Sequence, residues 1–88
     1  MELGQIVFSK QGRDKGKPFI ICRMEGFYLY LADGKLRKFE SPKKKKVIHI
    51  AKTNYVDSYI VEVLENVGHI KNSDLRNAIK RFLNRKEV

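Results

Sequence analysis

The sequence of 88 residues contains no tryptophan, two prolines and one cysteine. Because Cys22 has no cysteine partner, an intramolecular disulfide and a zinc site of four cysteines are both excluded. No stretch approaches the roughly 20 apolar residues that span a bilayer, and the first residues do not resemble a signal peptide. We therefore expect one compact domain, or a smaller domain with an appended helical unit, in the reducing cytoplasm and without a membrane partner.

Acidic residues are scarce relative to basic ones. The chain has 19 lysines and arginines against 10 aspartates and glutamates, which gives a formal net charge of +9 and a pI near 9.9. Residues 1–52 hold 13 basic and 5 acidic residues, whereas residues 53–88 hold 6 and 5. This charge indicates a polyanionic partner, above all nucleic acid, bound mainly through the first part of the chain.

Short apolar runs rich in β-branched and aromatic residues predict four strands, and Leu36 to Phe39 is a candidate fifth. Glu25-Gly26 and Asp33-Gly34 predict turns. Closing a sheet of short strands removes its exposed edges, so we expect a small SH3-like β-barrel of about five strands over residues 1–52. The four runs are Ile6–Phe8, Phe19–Cys22, Phe27–Leu31 and Val47–Ile50.

After Lys52, the apolar residues no longer form short runs but recur with the spacing of an α-helix. Two stripes with helical spacing predict a C-terminal helical hairpin over residues 53–88 that packs on the barrel or on itself. Asn54 is the predicted N-cap of the first helix and Gly68 its stop, while Asn72 or Ser73 caps the second. The stripes are Val56, Tyr59, Ile60, Val63, Leu64 and Val67, and then Leu75, Ala78, Ile79, Phe82 and Leu83.

A basic loop lies between the first two predicted strands. Gly12 and Gly16 permit positive φ angles and close backbone approach, and exposed amides together with four bases would suit a phosphate backbone. A nucleotide-binding P-loop is excluded, because three residues instead of four separate the glycines and Pro18 follows Lys17. The alternative is a solvated loop without a ligand. The four bases are Lys10, Arg13, Lys15 and Lys17.

The segment from Gly4 to Lys17 resembles the KOW motif, a strand, glycine-bearing loop and strand found in ribosomal proteins and transcription elongation factors. With Ala32-Asp33-Gly34, Arg37-Lys38, the run from Pro42 to Lys46, and His49, the chain is similar to small KOW-type large-subunit ribosomal proteins of archaea and eukaryotes. It is also similar to stand-alone KOW-domain RNA-binding proteins of Gram-positive bacteria. The resemblance covers residues 3–52 and implies an SH3-like barrel that binds ribosomal RNA, with ribosomal proteins as further candidate partners.

The run Lys43 to Lys46 follows Pro42 and is predicted to be extended and exposed. Four adjacent charges repel one another unless an anion neutralises them, so phosphate contacts are expected here. The alternative is a solubility patch or a basic cluster like those of localisation signals. The predicted RNA-binding residues, which should form one continuous face, are Lys10, Arg13, Lys15, Lys17, Arg37, Lys38, Lys43, Lys44, Lys45, Lys46 and His49, with Gly12 and Gly16 as structural glycines of the loop.

No motif predicts catalysis, a cofactor or a metal. His49 and His69 stand 20 residues apart without a cluster of further ligands. Cys22 lies in an apolar run, which is typical of a buried, inert thiol and not of a nucleophile paired with His49.

The aromatic residues are expected mainly in the core. In the run Phe27–Leu31, alternation places Tyr28 and Tyr30 on the face opposite Phe27, Leu29 and Leu31. One of the two tyrosines is a candidate for stacking on an unpaired base.

The sequence thus predicts a non-catalytic protein that binds structured RNA, with ribosomal RNA as the expected ligand and no small-molecule substrate. One alternative is an interaction adaptor of the transcription or translation machinery, since small barrels also bind peptides. A second alternative is a DNA-binding regulator that places its second helix in a major groove.

Overall fold

The computed structural model describes residues 1–85, which form a mixed β/α fold. The strands are β1 (Gln5–Ser9), β2 (Pro18–Glu25), β3 (Tyr28–Ala32), β4 (Lys43–Lys46) and β5 (Ile50–Val56). A 3-10 helix covers Val47–His49, and the α-helices are α1 (Ser58–Val67) and α2 (Asn72–Asn84). Within residues 1–85, neither α-helix has the length and apolar character needed to cross a membrane.

The five strands form one antiparallel sheet in the order β4-β3-β2-β1-β5. The two edge strands, β4 and β5, are separated along the chain only by Val47–His49. The four peptide steps from Lys46 to Ile50 reach at most about 14 Å, whereas four strand spacings in a flat sheet cover about 19 Å. The sheet must therefore curve, so that its edges approach each other where β4 ends and β5 begins.

Both faces of the central strands are buried. Alternate residues of β1 and β2 enter two cores, one formed by the strands and one shared with the helices. This double burial explains why Phe19–Cys22 is continuously apolar instead of alternating. The strand core contains Val7, Phe19, Ile21, Leu29, Leu31 and Ile50, and the shared core contains Ile6, Ile20, Cys22, Ala32, Ile60, Leu64, Ile70, Leu75, Ala78 and Phe82.

The strand boundaries correct three predictions. Leu36 to Phe39 is not a strand but lies in the loop between β3 and β4. Val47–His49 is a 3-10 helix whose Ile48 is 72% exposed, and β5 begins at Ile50 and continues past Lys52 to Val56. Phe27 is 84% exposed, because Gly26 and Phe27 form the tight turn and β3 starts only at Tyr28. Leu29 and Leu31 are buried as predicted.

The N-cap of α1 is Asp57, and the prediction of Asn54 is wrong because Asn54 still lies within β5. The Asp57 carboxylate accepts a hydrogen bond from the Ile60 amide at 3.1 Å and two from the Arg81 guanidinium, at 2.9 and 3.1 Å. Asp57 is 4% exposed and the Arg81 side chain is 48% exposed, so the ion pair joins a buried carboxylate at the start of α1 to a half-exposed arginine of α2. Gly68 ends α1 with a φ of 76°, as predicted.

Neither predicted cap of α2 is used, since the helix begins at Asn72 after an N-cap at Lys71. The Asn72 side chain instead accepts a hydrogen bond from the Phe39 amide at 2.8 Å and donates to Glu40. The central residues of both apolar stripes pack towards the sheet, whereas residues at the edges of the stripes remain exposed. Tyr59, Val67 and Leu83 are exposed.

Loop 33–42, between β3 and β4, is fixed by the start of α2. The Asp33 carboxylate accepts hydrogen bonds from the amides of Lys35 and Arg37, at 2.8 and 2.9 Å. Arg76 donates to the Gly34 carbonyl at 2.6 Å. Gly34 is buried, and its φ of +78° is one that side-chain-bearing residues rarely adopt. The helices therefore position the loop that carries Arg37 and Lys38.

Candidate nucleic-acid interface

The basic loop, residues 10–17, joins β1 to β2 through two successive turns. The amides of Lys15, Gly16 and Lys17 donate to carbonyls within residues 9–14, at 3.2, 3.0 and 3.0 Å. These three amides are used inside the loop, so they are not among the extra phosphate donors that were expected there. The loop's basic side chains are exposed and remain available to a ligand; they belong to Lys10, Arg13, Lys15 and Lys17.

Strand β4 lies next to the basic loop. The Lys45 ammonium donates to the Ser9 hydroxyl at 2.7 Å and to the Gln11 carbonyl at 2.8 Å. Lys43 forms an ion pair with Asp14. Two segments that are about 30 residues apart in the sequence are therefore in contact. The predicted meeting of the basic loop with the lysine run is thus present for Lys43 and Lys45, both of which are partly buried.

Asp14 is the acidic residue of this loop, and basic groups surround it. The Lys43 ammonium, through its hydrogen bond and its charge, lowers the pKa of the Asp14 carboxyl, with smaller contributions from the charges of Arg37 and Lys17. Arg37, from loop 33–42, is therefore close enough to act on the same carboxylate. Three separate segments supply positive charge around Asp14, and its carboxylate neutralises part of that charge.

His49 and Lys38 were also predicted to bind RNA, and they lie in different surroundings. The Lys10 amide donates to the His49 carbonyl at 2.9 Å, so His49 adjoins the basic loop. Lys38 lies beside Glu40, whose pKa is lowered chiefly by the hydrogen bond from Asn72, with smaller effects from His69 and Lys38. Lys38 therefore acts on a carboxylate that is hydrogen-bonded to α2.

Lys44 and Lys46 do not share a face with Lys43 and Lys45. Strand alternation turns them to the opposite side of β4, where Lys44 lies opposite Tyr30 in register and Lys46 lies opposite Tyr28. The lysine run therefore does not form one continuous face. It forms a strand despite its charge because successive ammonium groups point to opposite sides, and edge strands commonly carry lysine.

The opposite side of β4 holds contacts that the sequence interpretation largely missed. The Lys44 ammonium lies 4.4 Å from the Tyr28 ring centroid and 5.9 Å from that of Tyr30, and Arg23 lies 5.0 Å from the Tyr30 centroid. These are cation–π distances. The alternation of tyrosines with leucines in the sequence indicated this surface. The sequence did not indicate how β2 and β4 pair with β3, and this pairing is what places Arg23 and Lys44 at the tyrosine rings.

The groups with potential for other chemistry are poorly suited to it. Burial raises the pKa of the Cys22 thiol to about 12, so very little thiolate exists at neutral pH. Among residues 1–85, no three His, Cys, Asp or Glu side chains gather as a metal site would require. On one side of β4, cations gather around a carboxylate and can bind an anion. On the other side, cations lie on aromatic rings, a surface that can bind a flat ring.

No protein-family model matches the chain, and no curated protein matches it with significance.

Proposed function

We propose that this chain is a cytoplasmic, non-catalytic RNA-binding protein of the KOW type, and that it grips the phosphate backbone of folded ribosomal RNA. The observation that carries the proposal is the contact of the basic loop with β4, beside which Arg37 lies. Lysines and arginines from distant segments lie close together and repel one another, and a bound polyanion would remove this repulsion. Ribosomal RNA is chosen on the KOW resemblance of residues 3–52.

The sheet order and the short link between its edges support an SH3-like barrel. A curved five-stranded sheet with a three-residue connection between β4 and β5 brings the two edges towards closure. In such a barrel the loop after β1 and the edge strand β4 would lie on one rim. That rim would meet RNA by shape and charge, since the bases there are suited to phosphates more than to base edges.

The helices offer less support for a DNA reader. Arg76 and Arg81 of α2 are engaged with the Gly34 carbonyl and the Asp57 carboxylate. The apolar side of α2 packs on the sheet, through Leu75, Ala78 and Phe82. A recognition helix needs its polar side chains free for base edges, and here two of the arginines hold the fold together instead.

Replacing Asp14 with asparagine tests this proposal because it should move affinity and stability in opposite directions. Removing one negative charge from the patch and releasing Lys43 should raise RNA affinity roughly 5- to 10-fold at 0.1 M salt. Losing the ion pair should lower the free energy of unfolding by about 1 kcal/mol at pH 7. Anisotropy titrations with a folded ribosomal RNA fragment and with duplex DNA, together with urea unfolding, measure both effects.

The stability effect has a defined pH dependence. The folded-state pKa of Asp14 lies below the ordinary value of 3.8, so its stabilisation is present above pH 3.8 and is lost as the pH falls through the lower folded-state pKa. The difference between wild type and Asp14→Asn should therefore shrink in that range. A variant that binds RNA more weakly than wild type, or a wild type that prefers duplex DNA at every salt concentration, would contradict the proposal.

A further inference from the structure

A small groove with exposed apolar walls lies at the tip of the β2–β3 turn. It has a volume of about 370 Å³ and is lined by Phe27, Tyr28, Lys46, Val47 and Ile48. Phe27 is 84% exposed and Ile48 is 72% exposed. The Val47 amide donates to the Phe27 carbonyl at 2.8 Å, which fixes the turn against the 3-10 helix. The groove is therefore a formed feature that leaves two large apolar side chains in water.

The groove is continuous with the cationic side of β4. The Tyr28 ring lines the groove and also holds the Lys44 ammonium at 4.4 Å. Lys46 lies opposite Tyr28 in register and contributes to the groove wall. The groove thus combines flat apolar surface with two ammonium groups at its side.

The charges around the groove favour an anionic ligand. None of the five lining residues is acidic. The nearest carboxylate in register is Glu25, opposite Tyr28, and it is held in an ion pair by Arg23 at 2.6 Å. An apolar peptide would bring no anion to the ammonium groups of Lys44 and Lys46, whereas a nucleotide supplies both a ring for the apolar walls and a phosphate for the lysines.

We propose that this groove receives an unpaired nucleobase of the bound RNA, with the base against Phe27 and Tyr28 and its phosphate at Lys44 or Lys46. This inference rests on the proposed RNA-binding function and specifies its ligand. Lys43 and Lys45 contact the basic loop, whereas Lys46 lines the groove and Lys44 lies on the Tyr28 ring beside it. The edge strand β4 therefore contributes to two surfaces. The preferred RNA is a helix with unpaired nucleotides beside it.

The test compares a blunt RNA duplex with the same duplex carrying a short single-stranded extension that contains 2-aminopurine. Wild type should bind the extended duplex roughly 5- to 100-fold more tightly, because stacking one base on an aromatic ring has about that effect. The fluorescence of 2-aminopurine should fall on binding. Phe27→Ala should abolish both the preference and the quenching, while Phe27→Tyr should keep them.

Phe27→Ala is suited to this test because Phe27 is an exposed turn residue, and its backbone hydrogen bond with Val47 does not depend on the side chain. Met24→Ala is the matched control, since Met24 is an exposed apolar residue on the neighbouring strand that does not line the groove. Equal binding of both duplexes, or a preference that survives in Phe27→Ala, would overturn the inference while leaving salt-dependent RNA binding intact. If neither duplex binds with salt dependence, the proposed function fails and this inference fails with it.

Discussion

Replacing Lys10, Arg13 and Lys15 with alanine is expected to weaken RNA binding by about two orders of magnitude at 0.1 M salt. Each base that contacts a phosphate releases condensed counterions, so each one lost should make the log–log salt dependence of the affinity less steep by about one unit. The triple variant should therefore differ from wild type by about three units of slope. Anisotropy titrations of a folded ribosomal RNA fragment across salt concentrations measure both quantities.

This variant should fold normally. The three side chains are exposed, and within residues 1–85 they form no hydrogen bond or ion pair that the substitutions would remove. The backbone hydrogen bonds of Lys10 and Lys15, to His49 and Gly12, do not depend on the side chain. The control compares two single substitutions. Arg13→Ala removes one charge from the basic loop, and Lys71→Ala removes one exposed charge at the start of α2. A triple variant with wild-type affinity and slope would exclude the basic loop from binding.

Gly34→Ala should destabilise the protein by about 3 kcal/mol or more. A positive φ costs a side-chain-bearing residue about 1–3 kcal/mol, and the added methyl group would overlap the Asn72 carbonyl oxygen. Relieving that overlap by moving the backbone costs a further 1–3 kcal/mol or so. Since loop 33–42 is held against α2 at this point, the shift should also displace Arg37. Urea unfolding monitored by circular dichroism measures the loss.

Gly68→Ala separates the two causes of this destabilisation. Gly68 has nearly the same φ, 76°, but an added Cβ would meet nothing within 4 Å. Its substitution should cost only the conformational part, about 1 kcal/mol. If both variants lose equal stability, the close packing of Gly34 against α2 has no energetic role.

The fold was largely predictable where the apolar pattern was regular. The strands β1 and β2 and the central residues of both helical stripes lie where the sequence indicated. Their buried positions must be apolar, and this requirement produces a regular spacing that the sequence shows. Lys43 to Lys46 was predicted to be extended, but propensity gave no reason to pair it with β3. Val47–His49 was mistaken for a strand because a short apolar run has no period of its own. Phe27 was mistaken for a core residue because the turn begins one residue later than the Glu25-Gly26 pair suggested.

The candidate site was predictable in composition but not in geometry. Charge placement along the sequence identified the basic loop and the lysine run, and the structure brings Lys43 and Lys45 to that loop. The division of the run between two surfaces follows from the register of β4 on β3, which depends on long-range pairing. The same pairing creates the Lys43–Asp14 contact, so the partial neutralisation of the patch could not be anticipated from sequence.

RNA binding through the basic loop and β4 can be tested by titrating isotope-labelled protein with a folded ribosomal RNA fragment and following the backbone amide chemical shifts residue by residue. If these segments bind the RNA, the largest shifts are expected in the basic loop, in β4 and at His49, and they should diminish together as salt is raised. Shifts confined to the outward surfaces of α1 and α2, with the basic loop and β4 unchanged, would contradict it.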